Sequence, residues 1–182
     1  TWVRREIVSG QVEAVSRALG RAYHVYGQVV RGHQRGRTIG FPTANLSVSS
    51  TLCPGPGVYA GWLDWGEGPR PSIISIGTNP TFTQETSSLD PTPVGAQESI
   101  RVEVHVLSDT SNVAHSTVAP LTLDLYALEV TLWFHRSIRG IVRFEGISAL
   151  SAQIDRDCHL ARTMLCNTPP PQWPQRPQRS SG

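Results

Sequence analysis

The sequence has 182 residues, of which 38% are hydrophobic and 16% are charged, and its formal net charge is +2. These values are typical of one globular domain with short extensions. The small net charge gives no electrostatic signature of nucleic-acid binding, and no apolar run approaches the roughly 20 residues of a membrane span. The first ten residues lack the apolar segment of a secretory signal. We therefore expect a cytoplasmic protein without nucleic-acid or membrane partners.

All 16 basic residues are arginine, and no lysine occurs. Codon bias is the simplest cause, but the chemical consequence is independent of the cause. A Walker A phosphate loop is excluded, because that loop needs its lysine. Any phosphate binding must depend on arginines, backbone amides or a metal ion.

The first predicted element is a short helix over residues 9–20. Ser9 is its expected N-cap, and Gly20 is expected to stop it. The apolar face of this helix is formed by Val12, Val15 and Leu19.

Strands follow the helix, each marked by alternation or by a β-branched run between glycines and prolines. Because no helix separates these strands, the pattern predicts an antiparallel sheet, most simply a closed barrel. The predicted strands lie near residues 23–31, 44–48, 57–63, 72–78, 100–107 and 127–136.

A second helix is predicted near the end of the chain, where apolar residues recur every three or four positions. Its stripe is expected to lie against the barrel. Residues 83–99 read as a long loop, and residues 168–182, with five prolines, read as a disordered or polyproline-like tail. The stripe consists of Leu150, Ile154, Cys158, Ala161 and Leu165.

A loop rich in glycine and arginine precedes the short strand. Such a loop allows its backbone to approach a ligand closely, and arginine suits phosphate. The alternative is a solvated hairpin with unrelated charges, and the loop residues alone do not decide between the two. The residues concerned are Arg31, Gly32, Arg35, Gly36, Arg37 and Gly40.

The FPTAN stretch continues this loop. Pro42 favours an extended backbone, and in an extended segment Thr43 and Asn45 point to one face while Pro42 and Ala44 point to the other. A hydroxyl and a carboxamide oxygen on one face suit Mg²⁺. A turn in which Asn45 bonds to the local backbone is the alternative.

The strand near residues 100–107 carries Glu103 on the face opposite to its valines. The apolar residues Ile100, Val102, Val104 and Val106 are expected to face the core. A carboxylate held on a rigid strand could accept a proton from a substrate hydroxyl. It could equally be an outward charge paired across strands.

Together these stretches resemble the riboflavin kinase family, in particular the kinase module of the bacterial bifunctional riboflavin kinase/FAD synthetase. The motifs appear in the family's order over roughly residues 20–162, and GRTIGFPTAN is the most specific of them. They are GQVVRGHQRGRTIGFPTANL (27–46), GVYAG (57–61), IGTNPTF (76–82), VEVHVL (102–107), IR (138–139) and the pattern from Phe144 to Asp157.

The resemblance implies transfer of the γ-phosphoryl group of ATP to the 5′-hydroxyl of riboflavin, giving FMN and ADP. It implies a compact, mainly β, antiparallel Greek-key barrel with a C-terminal α-helix packed on it. It assigns Mg²⁺, with Mn²⁺ or Zn²⁺ as alternatives, to Thr43 and Asn45, and it assigns the role of base to Glu103. The residues implied to bind the ATP phosphates are Gly32, Arg35, Gly36, Arg37, Gly40 and Thr43, and those on the flavin side are Tyr126 and Arg139.

The resemblance also divides the chain. Residues 1–21 are similar to the segment that follows an N-terminal FMN adenylyltransferase domain, residues 22–166 correspond to the kinase domain, and residues 167–182 form the tail. The chain departs from the family by longer connections on both sides of Glu103 and by Ala127, where the family has glycine. Two other readings remain, namely a flavin- or nucleotide-binding barrel without turnover and a barrel that binds RNA or a partner protein.

Overall fold

The computed structural model describes residues 1–32, 40–48, 52–79, 99–107 and 125–172. Within these ranges six antiparallel strands close into a barrel in the order β1-β2-β5-β4-β3-β6, and three helices accompany them. The elements are α1 (Trp2–Val8), α2 (Val12–Leu19), β1 (Tyr23–Val30), β2 (Ala44–Val48), β3 (Gly57–Asp64), β4 (Arg70–Asn79), β5 (Ser99–Val106), β6 (Glu129–Arg139) and α3 (Ile147–Leu165).

The closed barrel and the C-terminal helix are confirmed, and the short strand β2 has its predicted bounds. Strand β6 runs three residues past the predicted end at Arg136, to Arg139. Its last residues still pair with β3 through a bulge, and this irregular pairing masks the alternation that sequence reading depends on. The predicted loop over residues 83–99 lies outside the described residues, except that Ser99 begins β5.

The N-terminal region differs from the prediction, because it forms two helices. Ser9 ends α1, and its backbone N–H donates to Arg5 O at 3.0 Å, so the expected N-cap role of Ser9 is wrong. Gly10 has a φ of +77°, which separates the two helices. Gly20 ends α2 in the left-handed conformation, as predicted. Leu19 is 39% exposed and does not join the core.

The barrel interior forms one apolar cluster. Inward side chains of the strands fill it, and α1 and α2 add Ile7, Val12 and Val15 to the same cluster. The prediction that Val12 and Val15 belong to an apolar face is therefore confirmed. The helices before β1 are part of the packing of the barrel.

A second apolar cluster lies between the outer wall of the barrel and α3. Cys158, Ala161 and Leu165 are buried there against Trp62 and Trp133. Strand β3 is consequently buried on both faces, which explains why the GVYAGWL run is apolar throughout instead of alternating. Residues 168–172 line a cavity of about 320 Å³ beside the same tryptophans, and the remainder of the predicted tail lies outside the described residues.

No helix in the part of the chain that the structure describes is long and apolar enough to cross a membrane.

Candidate active site

Strand register brings Asn45 and Glu103 together on the outer wall of the barrel. Asn45 of β2 is the direct partner of Glu103 of β5, and Glu103 is in turn the direct partner of Ser75 of β4. Directly opposed residues hold their Cβ atoms about 4.5–5.5 Å apart on the same face of a sheet. The two predicted functional side chains, distant in sequence, are therefore immediate neighbours.

The outward direction of Glu103 follows from the burial of its neighbours. Val102 and Val104 are buried inside the barrel, as predicted, and Glu103 alternates with them. Ile100 was expected in the core as well, but it lies at the end of β5 and is 53% exposed. Val106 is partly buried against the interior cluster.

Arg101 accompanies Glu103 on the outer wall. Arg101 Nη1 lies 3.9 Å from Glu103 Oε1, and the two side chains are 33% and 34% exposed. An exposed ion pair of this kind is weak and easily rearranged. The carboxylate thus remains accessible to a substrate hydroxyl, and a positive charge is available beside it.

Asn45 occupies space that a side chain at position 32 would need. A Cβ atom on Gly32 would collide with the Asn45 carboxamide. Gly32 lies two residues after Val30, which is the β1 partner of Asn45. Ala44 is buried inside the barrel, so the predicted alternation of Ala44 and Asn45 is confirmed. Asn45 lies within β2 and pairs with Val30 and Glu103, so it does not belong to a local turn.

The donors at this position fit a hard cation. Thr43 is half-buried directly before β2, and the alternation places its hydroxyl on the Asn45 side of the segment. A neutral hydroxyl and a neutral carboxamide oxygen are compatible with Mg²⁺, which keeps water and phosphate oxygens among its ligands. No group of three or more His, Cys, Asp or Glu residues that could hold a metal occurs in the described ranges.

His105 holds the segment that leads into this position. Its Nδ1 lies 2.8 Å from Pro42 O, which makes Nδ1–H the donor, and the Phe41 ring packs edge-on against the imidazole at 5.6 Å between centroids. Burial lowers the pKa of His105 and the nearby Arg162 lowers it further, whereas the bond to Pro42 opposes both. Sequence analysis gave His105 no role, although its position two residues after Glu103 places it on the same face.

The glycine–arginine loop is described only at its ends. Gly40 has a φ of +85°, a conformation that favours glycine, whereas Arg35, Gly36 and Arg37 lie outside the described residues. At the other end, the Arg31 guanidinium lies 5.3 Å from the centre of the Tyr126 ring. The predicted flavin-side tyrosine is thus adjacent to this loop.

Tyr126 belongs to a tight turn that is bonded to β1. Leu128 N donates to Leu125 O at 3.1 Å, and Ala127 N donates to Val29 O at 2.9 Å. Ala127, which follows Tyr126, has a φ of +64°. A β-turn with positive φ at its third residue favours glycine at that position, so the alanine is a strained substitute.

Arg139 is engaged with α3. Its Nη2 lies 2.7 Å from Asp157 Oδ2 and its Nε 3.0 Å from the same atom, while Gln153 donates to Asp157 Oδ1 at 2.8 Å. Asp157 is buried. In the register Arg139 is opposite Val58, which is opposite Ser75. Arg139 therefore lies farther around the barrel, away from the pair of Asn45 and Glu103.

Ser75 was missed by sequence analysis. It is half-buried and directly opposite Glu103 on the side away from Asn45. The available signal was the alternation within β4, where Ile74 and Ile76 are buried inside the barrel. Identifying Glu103 as its partner would have required the register between β4 and β5.

Comparison with known families gives a match over most of the chain. The model of the Flavokinase family, described as riboflavin kinase, matches residues 19–165. The bifunctional riboflavin kinase/FMN adenylyltransferase of Escherichia coli K12 is 33% identical over 171 residues, which are 93% of this chain and 47% of that protein. The protein of the same description from Listeria monocytogenes is 30% identical over 158 residues, 86% of this chain and 43% of that protein. The chain thus spans about half the length of the curated relatives it matches.

Two solved structures show related folds. A structure described as a macrolide-efflux protein from Streptococcus pneumoniae has a TM-score of 0.70 and 27% identity, covering 88% of this chain and 45% of that one. Riboflavin kinase from Trypanosoma brucei has a TM-score of 0.50 and 23% identity, covering 80% of each chain. The second likeness shows the fold alone.

Proposed function

Because the chain belongs to the riboflavin kinase family, we propose that it transfers the γ-phosphoryl group of ATP to the 5′-hydroxyl of riboflavin. The products are FMN and ADP. The observation that supports the proposal is the direct pairing of Asn45 with Glu103 across β2 and β5, which makes a candidate cation ligand and a candidate base neighbours.

The roles follow from what phosphoryl transfer requires. The riboflavin hydroxyl oxygen forms a bond to the γ-phosphorus, the bond to the bridging oxygen of ADP breaks, and the hydroxyl proton goes to the Glu103 carboxylate. Thr43 and Asn45 would hold Mg²⁺, which supplies neutralisation of the phosphate charges when bound. Arg101, 3.9 Å from Glu103, places a positive charge beside the carboxylate.

We assign the phosphates of ATP to the loop between β1 and β2. Gly32 leaves room beside Asn45, and Gly40 allows a positive φ at the other end of the loop. Arg35, Gly36 and Arg37 complete this assignment as residues of the same loop, on the strength of the sequence motif alone. Tyr126 is assigned to the flavin side because its turn borders Arg31.

Arg139 has a different role in this proposal. Its guanidinium is bonded to Asp157, so it contributes to the flavin side by fixing the start of the connection from β6 to α3. Residues 22–166 are proposed as the kinase domain, with the helices of residues 1–21 packed on it. Since the curated relatives are named as bifunctional enzymes, we also propose that an FMN adenylyltransferase domain precedes this segment in the full protein.

The test is FMN formation from riboflavin and ATP with Mg²⁺, followed by chromatographic separation of the flavins. We expect Glu103→Gln to lower kcat by about 10²–10⁴-fold, since it removes a general base. Thr43→Ala is expected to raise the concentrations of Mg²⁺ and ATP that give half-maximal rates by roughly tenfold or more, as for the loss of a metal ligand. Glu67→Gln, an exposed carboxylate in the β3–β4 connection, is the matched control and should retain wild-type rates.

The other readings predict different outcomes. A chain that binds riboflavin but forms no FMN with Mg²⁺ or Mn²⁺ would be the non-catalytic binding barrel. A chain that binds neither riboflavin nor ATP would share only the fold with the family.

A further inference from the structure

His105 connects two parts of the candidate site that are far apart in sequence. It lies on β5 two residues after Glu103, and its Nδ1–H donates to the carbonyl of Pro42 at 2.8 Å. Pro42 immediately precedes Thr43. The imidazole therefore joins the strand that carries the base to the segment that carries the cation ligands.

The ring makes a second contact with the same segment. Phe41 packs edge-on against His105, with the ring planes at 75°, and it is also packed against the outer cluster beneath α3. Phe41 and Pro42 are thus held both by an apolar contact and by a directional hydrogen bond. The bond fixes the backbone of Pro42, and with it the direction in which the next residues leave.

Neutral imidazole is suited to this contact. Burial and the Arg162 guanidinium on α3 both disfavour an additional positive charge on His105. Arg162 Nε is itself buried without a hydrogen-bond partner in the described part of the chain. Among the described residues, the specific polar contact of His105 is its hydrogen bond to Pro42 O.

We propose that His105 is a positioning residue for Mg·ATP, which holds Pro42 so that Thr43 and Asn45 face the metal and the phosphates beside Glu103. The inference deepens the proposed kinase function and rests on it. His105 does not touch the reacting atoms in this role. It acts through the backbone of the FPTAN segment.

The position of the donor atom gives a sharp test. An asparagine at position 105 can present an amide N–H near the place of the imidazole Nδ1, whereas the amide of a glutamine reaches nearer to the place of Nε2. His105→Asn should therefore keep the bond to Pro42, and His105→Gln and His105→Ala should lose it. His135 is the matched control, because it is also packed edge-on against an aromatic ring, that of Trp62 at 5.4 Å, but on β6 away from the site.

Initial rates of FMN formation are measured against ATP and against riboflavin for wild type and these variants. The Kd for Mn²⁺·ADP is measured in parallel by titration calorimetry. We expect His105→Ala and His105→Gln to raise the KM for ATP and the Kd for Mn²⁺·ADP by roughly tenfold, the size seen when a partner that orients a metal ligand is lost. The KM for riboflavin should change by less than about twofold.

The rescue variant and the control distinguish a positioning role of His105 from a purely structural one. His105→Asn should recover most of the nucleotide affinity, and His135→Ala should not alter it, even if both variants melt at lower temperature. Lower melting temperatures with unchanged nucleotide affinity in His105→Ala would overturn the positioning role. A wild type that binds Mn²⁺·ADP but makes no FMN would contradict the kinase proposal only, and the Kd series would still decide the role of His105. A wild type that binds no nucleotide would overturn both.

Discussion

Ala127 has a backbone conformation that is unfavourable for a residue with a Cβ atom. Its φ of +64° costs an alanine about 1–2 kcal/mol relative to glycine. The greater freedom of glycine in the unfolded chain offsets about 0.5–1 kcal/mol of this cost. We predict that Ala127→Gly raises the free energy of unfolding by about 0.5–1 kcal/mol, which corresponds to a rise of about 2–3 °C in Tm for a chain of this size.

Thermal unfolding followed by circular dichroism measures this change. Ala152→Gly is the control, because Ala152 is exposed within α3 and has helical backbone angles. The control should lose about 1 kcal/mol of stability. If both substitutions lower Tm, the proposed strain at Ala127 is refuted.

Gly32 gives the second prediction for a single residue. Alanine at this position would drive its Cβ into the Asn45 carboxamide, so Asn45 must move or β1 and β2 must separate. We expect Gly32→Ala to weaken Mg·ATP binding by roughly tenfold or more, as for a displaced metal ligand. Titration calorimetry with Mg·ADP measures the effect. Gly146→Ala is the control, since a Cβ at that position meets open space and the backbone is extended. Equal losses of Mg·ADP affinity in both variants would contradict the steric explanation.

At the scale of residues, the alternation along each strand predicted which way a side chain points, but not which side chains of other strands lie beside it. The sequence showed that Asn45 and Glu103 leave their strands away from the apolar side, and the structure agrees. Their pairing depends on the register between β2 and β5, which are separated in the chain by β3 and β4. A shift of one residue would turn one of them inward, and nothing local in either strand sets that register.

At the scale of elements, a buried ion pair joins β6 to α3. Asp157 is buried and accepts three hydrogen bonds from Arg139 and one from Gln153. Replacing it by asparagine keeps the shape but leaves the guanidinium uncompensated. We predict that Asp157→Asn lowers the free energy of unfolding by about 3 kcal/mol, the lower end of the range for a broken buried pair.

Urea unfolding measures this loss. The matched control is Arg5→Gln, because the Arg5 side chain, 3.8 Å from Glu6, is 74% exposed. The control should change stability by less than about 0.5 kcal/mol. A loss below about 1 kcal/mol in Asp157→Asn would show that the pair is as weak as an exposed one.

The N-terminal helices show where element prediction failed. The run from Ser9 to Gly20 contains a good capping residue and a good stop, and local rules favour one helix between them. Gly10 interrupts that run with a positive φ, and Gly55 N donates to Ile7 O at 3.1 Å, which ties α1 to the chain before β3. This contact is tertiary, so neither propensity nor capping chemistry could predict it.

At the scale of the whole molecule, the fold class was predictable because strands without intervening helices leave few alternatives to a barrel. The outer cluster was less accessible, because β3 lacks the alternation that would have marked an inner and an outer face. Its burial on both sides depends on α3, which packs on the barrel through the outer cluster and is bonded to β6 by the Arg139–Asp157 pair. The barrel could thus be predicted from patterns in single strands, whereas the covered wall is a property of the assembled chain.

The reactivity of the three cysteines shows whether the barrel interior and the cluster beneath α3 stay closed. Cys53 is buried in the interior cluster, and burial raises the pKa of its thiol to about 12. Cys158 is buried in the outer cluster, and burial raises the pKa of its thiol to about 11. Cys166 is exposed at the end of α3. Because the thiolate is the reacting form, the first two should be inert in the native state.

We therefore predict that Ellman's reagent at neutral pH labels one thiol in the native protein and three in guanidinium chloride. Cys166→Ser should leave no fast-reacting thiol in the native protein and two in denaturant. One reactive thiol in that native variant would mean either that α3 does not stay on the barrel or that the barrel end near Cys53 opens. Repeating the measurement with Asp157→Asn separates these cases, because loosening α3 should expose Cys158 and leave Cys53 protected.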